Sequence, residues 1–333
     1  MHKKFIRSIC SLCCTLVLPG VLLPIFTSSG ISPYSEAVFA GDLTLPDLTL
    51  FSALPLVLEK PSASSPLSTP PPSTEPEQTS PSIYTHEPVT DGDTLLIKNS
   101  TDYAVDTEEL LSRPFPLGEG EPKVLIVHTH TSEAYTQSKD YTYTPSDAYR
   151  TEDPEDNICL VGKALANSLE KNGISCVHDT TSHDYPSYSG CYSRSLETIK
   201  KNLALCPTIE VVIDIHRDAL AAPDGSYMKT AAEVNGKTVA QALVVVGTDA
   251  GGLTHPDWEK NLSLGLRLQK NLCEMYPGLA RPLHLRTERF NGHASPGALL
   301  IEIGSNGNTM EEALDTAELV GNALAKTLLP LLP

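Results

Sequence analysis

Four short runs of the chain are apolar almost throughout: VLIV at 124–127, IEVVIDI at 209–215, ALVVVG at 242–247 and ALLIEI at 298–303. Their length and β-branched content suit strands, and the absence of apolar–polar alternation suits strands covered on both faces. Between them the period changes to that of helices. Ile158, Val161, Leu165 and Leu169 recur on one face of 157–172 before Gly173, and Leu196, Ile199 and Leu203 do so over 193–205 before Pro207. Further helices are predicted over 258–275 and 310–328, further strands at TLLIKNS, ISCV and LHLRT, and a short helix at TEELLSRP that Pro114 stops. The tyrosine-rich stretch from Tyr135 to Asp156 is long for a connection, which points to function or mobility. Strands alternating with helices predict an α/β fold with a mostly parallel or mixed sheet and helices on both faces.

Sheets of this kind bind ligands beyond the carboxyl ends of their strands. Those ends carry unusual chemistry here. VLIV runs into His128, His130 and Glu133, IEVVIDI into His216, and ALLIEI contains Glu302. Two imidazoles and a carboxylate are the donors that catalytic Zn²⁺ takes, with a fourth position left for water. We therefore expect one zinc ion per chain on His130, Glu133 and His216, and Glu302 as the base toward that water. Glu302 could instead be a buried ion-pair partner of Arg217, Arg286 or Arg289, since a buried carboxylate demands pairing. His128, two residues before His130, shares its face if the extended backbone continues; it is then a neighbour of the metal, a substrate contact or a rival ligand. Asp214, before His216, could orient an imidazole or equally pair with a neighbouring lysine. Arg217 and Asn306 are candidates for gripping a substrate carboxylate or carbonyl, or equally a surface salt bridge and a turn former. Tyr185, Tyr188 and Tyr192 could stack on a sugar, or simply pack.

Charge and composition narrow the picture further. The formal charge is −17, from 41 acidic and 24 basic residues, which excludes the basic footprint of a nucleic-acid binder. Residues 1–30 read as a membrane anchor or signal, with Lys3, Lys4 and Arg7 ahead of an uncharged apolar stretch from Ile9 to Phe26. We favour an uncleaved anchor that leaves the rest outside the cytoplasm; AVFA at 37–40 is the alternative, a cleavage site that would make the protein secreted. Residues 31–92 read as a Pro/Ser/Thr-rich linker that cannot bury a core, and 93–333 as the catalytic domain. Five cysteines fall in that domain with no C-x-x-C pair, so no disulfide framework is expected.

HTHTSEAY, HDTTSHDYPSYSGCYSRSLETI, VVIDIHRDA and ALLIEIGSNGNTMEEA resemble, in order and spacing, the stage II sporulation protein P (SpoIIP) family over roughly 94–328. The resemblance implies a zinc-dependent N-acetylmuramoyl-L-alanine amidase with endopeptidase activity on stem-peptide cross-links of peptidoglycan. It also implies action during forespore engulfment outside the mother-cell membrane, beside the membrane partners SpoIID and SpoIIM, and a fold like that of cell-wall zinc amidases and metallocarboxypeptidases. On that pattern the first motif histidine falls on His130 or His128, the second on His216 and the last-strand glutamate on Glu302. The third ligand is Glu133 on the metallocarboxypeptidase arrangement, or lies near Glu152, Asp153 or Glu155 on the amidase one.

Overall fold

A computed structural model of the chain describes residues 82–84, 90–91, 94–223 and 225–333. The expected anchor and most of the linker lie outside these residues. Among the described residues no helix is long and apolar enough to cross a membrane.

Four short strands come first: β1 (Ser82–Tyr84), β2 (Thr90–Asp91), β3 (Thr94–Leu95) and β4 (Ile97–Asn99). Then follow α1 (Thr107–Ser112), β5 (Val124–Val127), α2 (Ile158–Lys171), β6 (Cys176–His178), α3 (Cys191–Leu205) and β7 (Val211–Asp218). The rest is β8 (Met228–Val234), β9 (Lys237–Ala240), β10 (Ala242–Gly247), α4 (Trp258–Met275), β11 (Leu283–Arg286), β12 (Gly297–Ser305) and α5 (Met310–Leu328).

Seven strands form the central sheet in the order β4-β11-β10-β12-β7-β5-β6. Every pairing is parallel except β10 with β12. The sheet is therefore two parallel blocks running in opposite directions, and β12, β7, β5 and β6 end on the same edge. All four residues of β5 and the first seven of β7 are buried, which explains why these strands do not alternate in sequence.

The two faces still differ. Val124, Ile126, Val211, Ile213, Ile215, Ile301 and Ile303 join the large core under α2, α4 and α5, while Leu125, Val127, Val212 and Ala298 pack with Ile199 of α3. Helices thus cover both faces, three against one. Period-two geometry then puts Asp214 and His216 on the α3 face with Val212. A truncation such as Ile213→Ala in the large core costs about 2–5 kcal/mol.

Caps hold the helices that frame the site. Asn157 accepts the Cys159 N–H at the start of α2, and Thr309 with Glu312 closes a reciprocal capping box at the start of α5. Sequence reading assigned no strand between β7 and β10, yet β8 and β9 form an antiparallel hairpin there. Its turn, Asn235–Gly236, has φ values of 54° and 77°, the left-handed pair that a two-residue hairpin loop needs. The described cysteines Cys159, Cys176, Cys191, Cys206 and Cys273 are free.

Candidate metal centre

β5 ends at Val127, and the chain turns at once. The Glu133 N–H donates to the His130 carbonyl at 3.1 Å, closing a turn that sends both side chains over the ends of β5 and β7. One donor atom each from His130, Glu133 and His216 lies within 4.8 Å of the others, and all three residues are buried. His130 Nδ1 is 3.3 Å from Glu133 Oε1, and His216 Nδ1 is 3.7 Å from Glu133 Oε2. Two donors on a tetrahedral zinc at ~2.0–2.1 Å stand roughly 3.3–3.4 Å apart, so the set fits such an ion with little movement.

The electrostatics point the same way. Burial pushes the Glu133 carboxyl up, but the hydrogen bond with His130 and the charges of Arg217, His130 and His216 outweigh it and hold it well below the usual carboxylate range. The carboxyl is thus ionised, as a ligand must be. Burial pushes the His216 imidazole down, yet Asp214, Glu133 and Glu302 raise it to about 10. The surroundings of this ring thus favour positive charge.

Asp214 Oδ1 lies 3.0 Å from His216 Nε2, a short contact without hydrogen-bond alignment, since Nε2 has no aligned partner. The carboxylate also accepts the Thr129 N–H at 2.8 Å and the Thr129 hydroxyl at 2.6 Å. Held from behind in this way, His216 turns its Nδ1 toward Glu133.

Glu302 pairs with His216 across the parallel β12–β7 ladder. Its Oε2 is buried and has no hydrogen-bond partner. Burial, together with Asp218 and Glu133, raises its carboxyl to about 8 against the opposing pull of His216 and Arg281. The three arginines weighed as its ion-pair partners are engaged elsewhere. Arg217 donates to the carbonyls of Ala134 and Tyr149, Arg286 to Glu288, and Arg289 to the Thr254 carbonyl.

Three expectations need correction. His128 does not share a face with His130, because extended backbone stops at Val127. Its ring lies under α2, with Nε2 2.8 Å from His178 Nε2 and Nδ1 3.1 Å from the Ile215 carbonyl. Arg217 is buried and supports the candidate ligand instead of facing open space: its side chain ties the 134–149 loop to β7, and its backbone N–H donates to Glu133 Oε2 at 3.1 Å. Asn306 is likewise structural, accepting the Leu220 N–H on its side chain and the Thr136 hydroxyl on its carbonyl. Among the alternatives for the third ligand, Glu152, Asp153 and Glu155 are exposed and outside the cluster.

Sequence reasoning also missed residues. Tyr188 and Tyr192, named only as a stacking option, have ring centroids 4.9 and 5.6 Å from His130. Arg150 and Asp184 were not singled out, yet they meet beneath the His130–Glu133 turn. His178 was overlooked as well, although aligning the ends of β5 and β6, where Ile126 pairs with His178, would have located it.

These features define the class: an α/β protein whose adjacent parallel strands end in a buried His–Glu–His cluster able to hold a divalent ion. The family model for stage II sporulation protein P (SpoIIP) matches residues 55–325, and the chain belongs to that family. Stage II sporulation protein P of Bacillus subtilis (strain 168) is 28% identical over 205 residues, covering 58% of this chain and 48% of that protein. The chain therefore spans about half the length of this relative. Among solved structures, an N-acetylmuramoyl-L-alanine amidase from Clostridium difficile 630 overlaps 63% of this chain and 97% of its own, at 15% identity and a TM-score of 0.37. The amidase AmiC2 of Nostoc punctiforme overlaps 64% and 98%, at 15% identity and a TM-score of 0.35.

Proposed function

We propose that this protein is a zinc-dependent peptidoglycan hydrolase, an N-acetylmuramoyl-L-alanine amidase with secondary endopeptidase action on stem-peptide cross-links. The observation that carries this reading is the placement of Glu302: a half-buried glutamate whose buried Oε2 has no hydrogen-bond partner, opposite His216 on the strand beside the cluster. A structural ion-pair carboxylate would have a lysine or arginine against it; among the described residues none forms an ion pair with Glu302, whose nearest cationic influences are His216 and Arg281.

His130, Glu133 and His216 would hold the ion, with Asp214 fixing the His216 ring. Bound zinc supplies polarisation of the scissile carbonyl and a water of lowered pKa. Glu302 takes a proton from the attacking water and hands it to the departing amine nitrogen, the two-way transfer of a general acid–base carboxyl. Tyr188 and Tyr192 beside His130 offer aromatic surface to the sugar and peptide that flank the bond.

The basic head and apolar stretch ahead of residue 30 support tethering at a membrane with this domain outside the cytoplasm. Family membership supports a role in engulfment alongside SpoIID and SpoIIM. The test is digestion of purified sacculi by the zinc-loaded protein, with products read by mass spectrometry. Free stem peptides are expected. Shortened cross-links alone would make it a peptidase, and intact sacculi, with and without the expected partner proteins, would make it a scaffold.

A further inference from the structure

The turn that carries His130 and Glu133 is gripped from below by Asp184, in the connection between β6 and α3. Its carboxylate accepts the Ser132 N–H at 3.1 and 3.2 Å, the Ser132 hydroxyl at 2.7 Å and Arg150 Nη1 at 2.7 Å. The Asp184 side chain is fully buried. Arg150 Nη1 also donates to Ser132 Oγ at 2.9 Å, and the guanidinium lies 5.1 Å from the ring centre of Tyr188. Its other terminal nitrogen, Nη2, stops 4.0 Å from Glu133 Oε1. That is the oxygen facing His130 Nδ1.

A guanidinium this close to a ligand carboxylate competes with a cation for the same lone pairs, since fork-shaped binding of a carboxylate is the preferred arrangement of arginine. While Nη2 stands at 4.0 Å from Glu133, Nη1 of the same guanidinium is bonded to Asp184 at 2.7 Å. The other contacts of Glu133 are with His130 Nδ1, His216 Nδ1 and the Arg217 N–H. We propose that Asp184 is a positioning residue that holds Arg150 off Glu133, and thereby sets how tightly the His130–Glu133–His216 cluster binds its ion. This inference rests on the metal-centre reading above.

The mechanism has a distinctive signature. A residue that only braced the turn would weaken the site further when its partner was also removed. A residue that sequesters a competitor becomes dispensable once the competitor is gone. Affinity for Zn²⁺ alone, measured by competition with a chromophoric chelator on the purified chain, separates the two. Asp184→Asn is expected to weaken zinc binding about 10–100-fold, the usual effect of losing an outer partner of a ligand. Arg150→Gln is expected to bind zinc as tightly as the wild type or more tightly. The double variant should recover to the level of Arg150→Gln.

A double variant that binds more weakly than Asp184→Asn, or an Asp184→Asn protein with wild-type affinity, overturns the proposal. Circular-dichroism melts of the metal-free proteins report whether each variant folds. If Asp184→Asn does not fold, Arg150→Gln decides: affinity equal to or above wild type supports sequestration, and weaker affinity refutes it. A wild-type chain that takes up no zinc would instead remove the metal-centre reading itself.

Discussion

Glu302 stands directly opposite His216 across the parallel ladder of β12 and β7. Side chains opposite one another in such a pair project from the same face, with their strands about 4.8 Å apart. The proposed proton carrier is therefore placed by backbone pairing rather than by a loop. Loop sites drift; a ladder position in a buried sheet does not.

Removing the ring and removing the carboxyl should have different effects. His216→Ala is expected to abolish both zinc retention and hydrolysis. Glu302→Gln should keep the metal and lower the hydrolysis rate by ~10²–10⁴, the typical worth of general acid–base catalysis. Metal content and turnover measured together on both variants check this. Zinc lost equally from both would move Glu302 into the ligand set.

The raised Glu302 carboxyl carries a stability signature in the metal-free protein. Its value is about 8 in the fold against an ordinary 4.5, so between these values the folded state keeps a proton that the unfolded chain has released. Stability from this group is present below the lower value and is lost as pH climbs toward the higher one. Glutamine does not titrate. Metal-free Glu302→Gln should thus gain melting temperature over the wild type at about pH 8 and much less at about pH 5. An equal gap at both would show that Glu302 is not held protonated.

Asp214→Asn should weaken zinc binding about 10–100-fold while leaving the fold intact. The substitution removes the negative charge 3.0 Å from His216 Nε2, so the ring loses both its orientation and its basicity. Chelator competition measures the affinity, and unchanged binding would make Asp214 a brace for Thr129 alone.

At Gly162 of α2, an added Cβ would fall 2.5 Å from the His128 ring and 2.7 Å from His178 Nε2. Both rings are fixed by their mutual contact, and burial lowers them to about 3 and about 4 respectively, so neither gains a charge near neutral pH. Gly162→Ala is expected to destabilise the domain by about 1–3 kcal/mol, read from denaturant midpoints. A smaller loss would mean that α2 can lift away from the pair.

The sheet was legible because its strands are buried on both sides and so stay apolar throughout; β5, β7, β10 and β12 stood out for that reason. The hairpin was not. Met228, Lys229, Lys237 and Thr238 are partly or fully exposed, and the segment lacks a clear apolar set, although Asn235–Gly236 was a usable turn signal. Strand ends showed where chemistry collects, but not which way side chains turn once extended backbone stops. That is why His128 was misjudged while Glu133, one helical-type turn beyond His130, fell in place. Arg217 was misjudged for a different reason, since period two sends it to the opposite face from His216. Arg150 and Asp184 sit on irregular connections with no period to read, and their partnership exists only in three dimensions.

β12 comes last in chain order among the described strands, yet it occupies the middle of the sheet, between β10 and β7. Until it arrives, both neighbours keep a bare edge of unmatched peptide groups, an invitation to mispairing. By then every donor of the His–Glu–His cluster has already been synthesised. The same insertion that seals the two half-sheets is thus what brings the Glu302 carboxyl opposite His216, after the other three side chains of the cluster are in the chain.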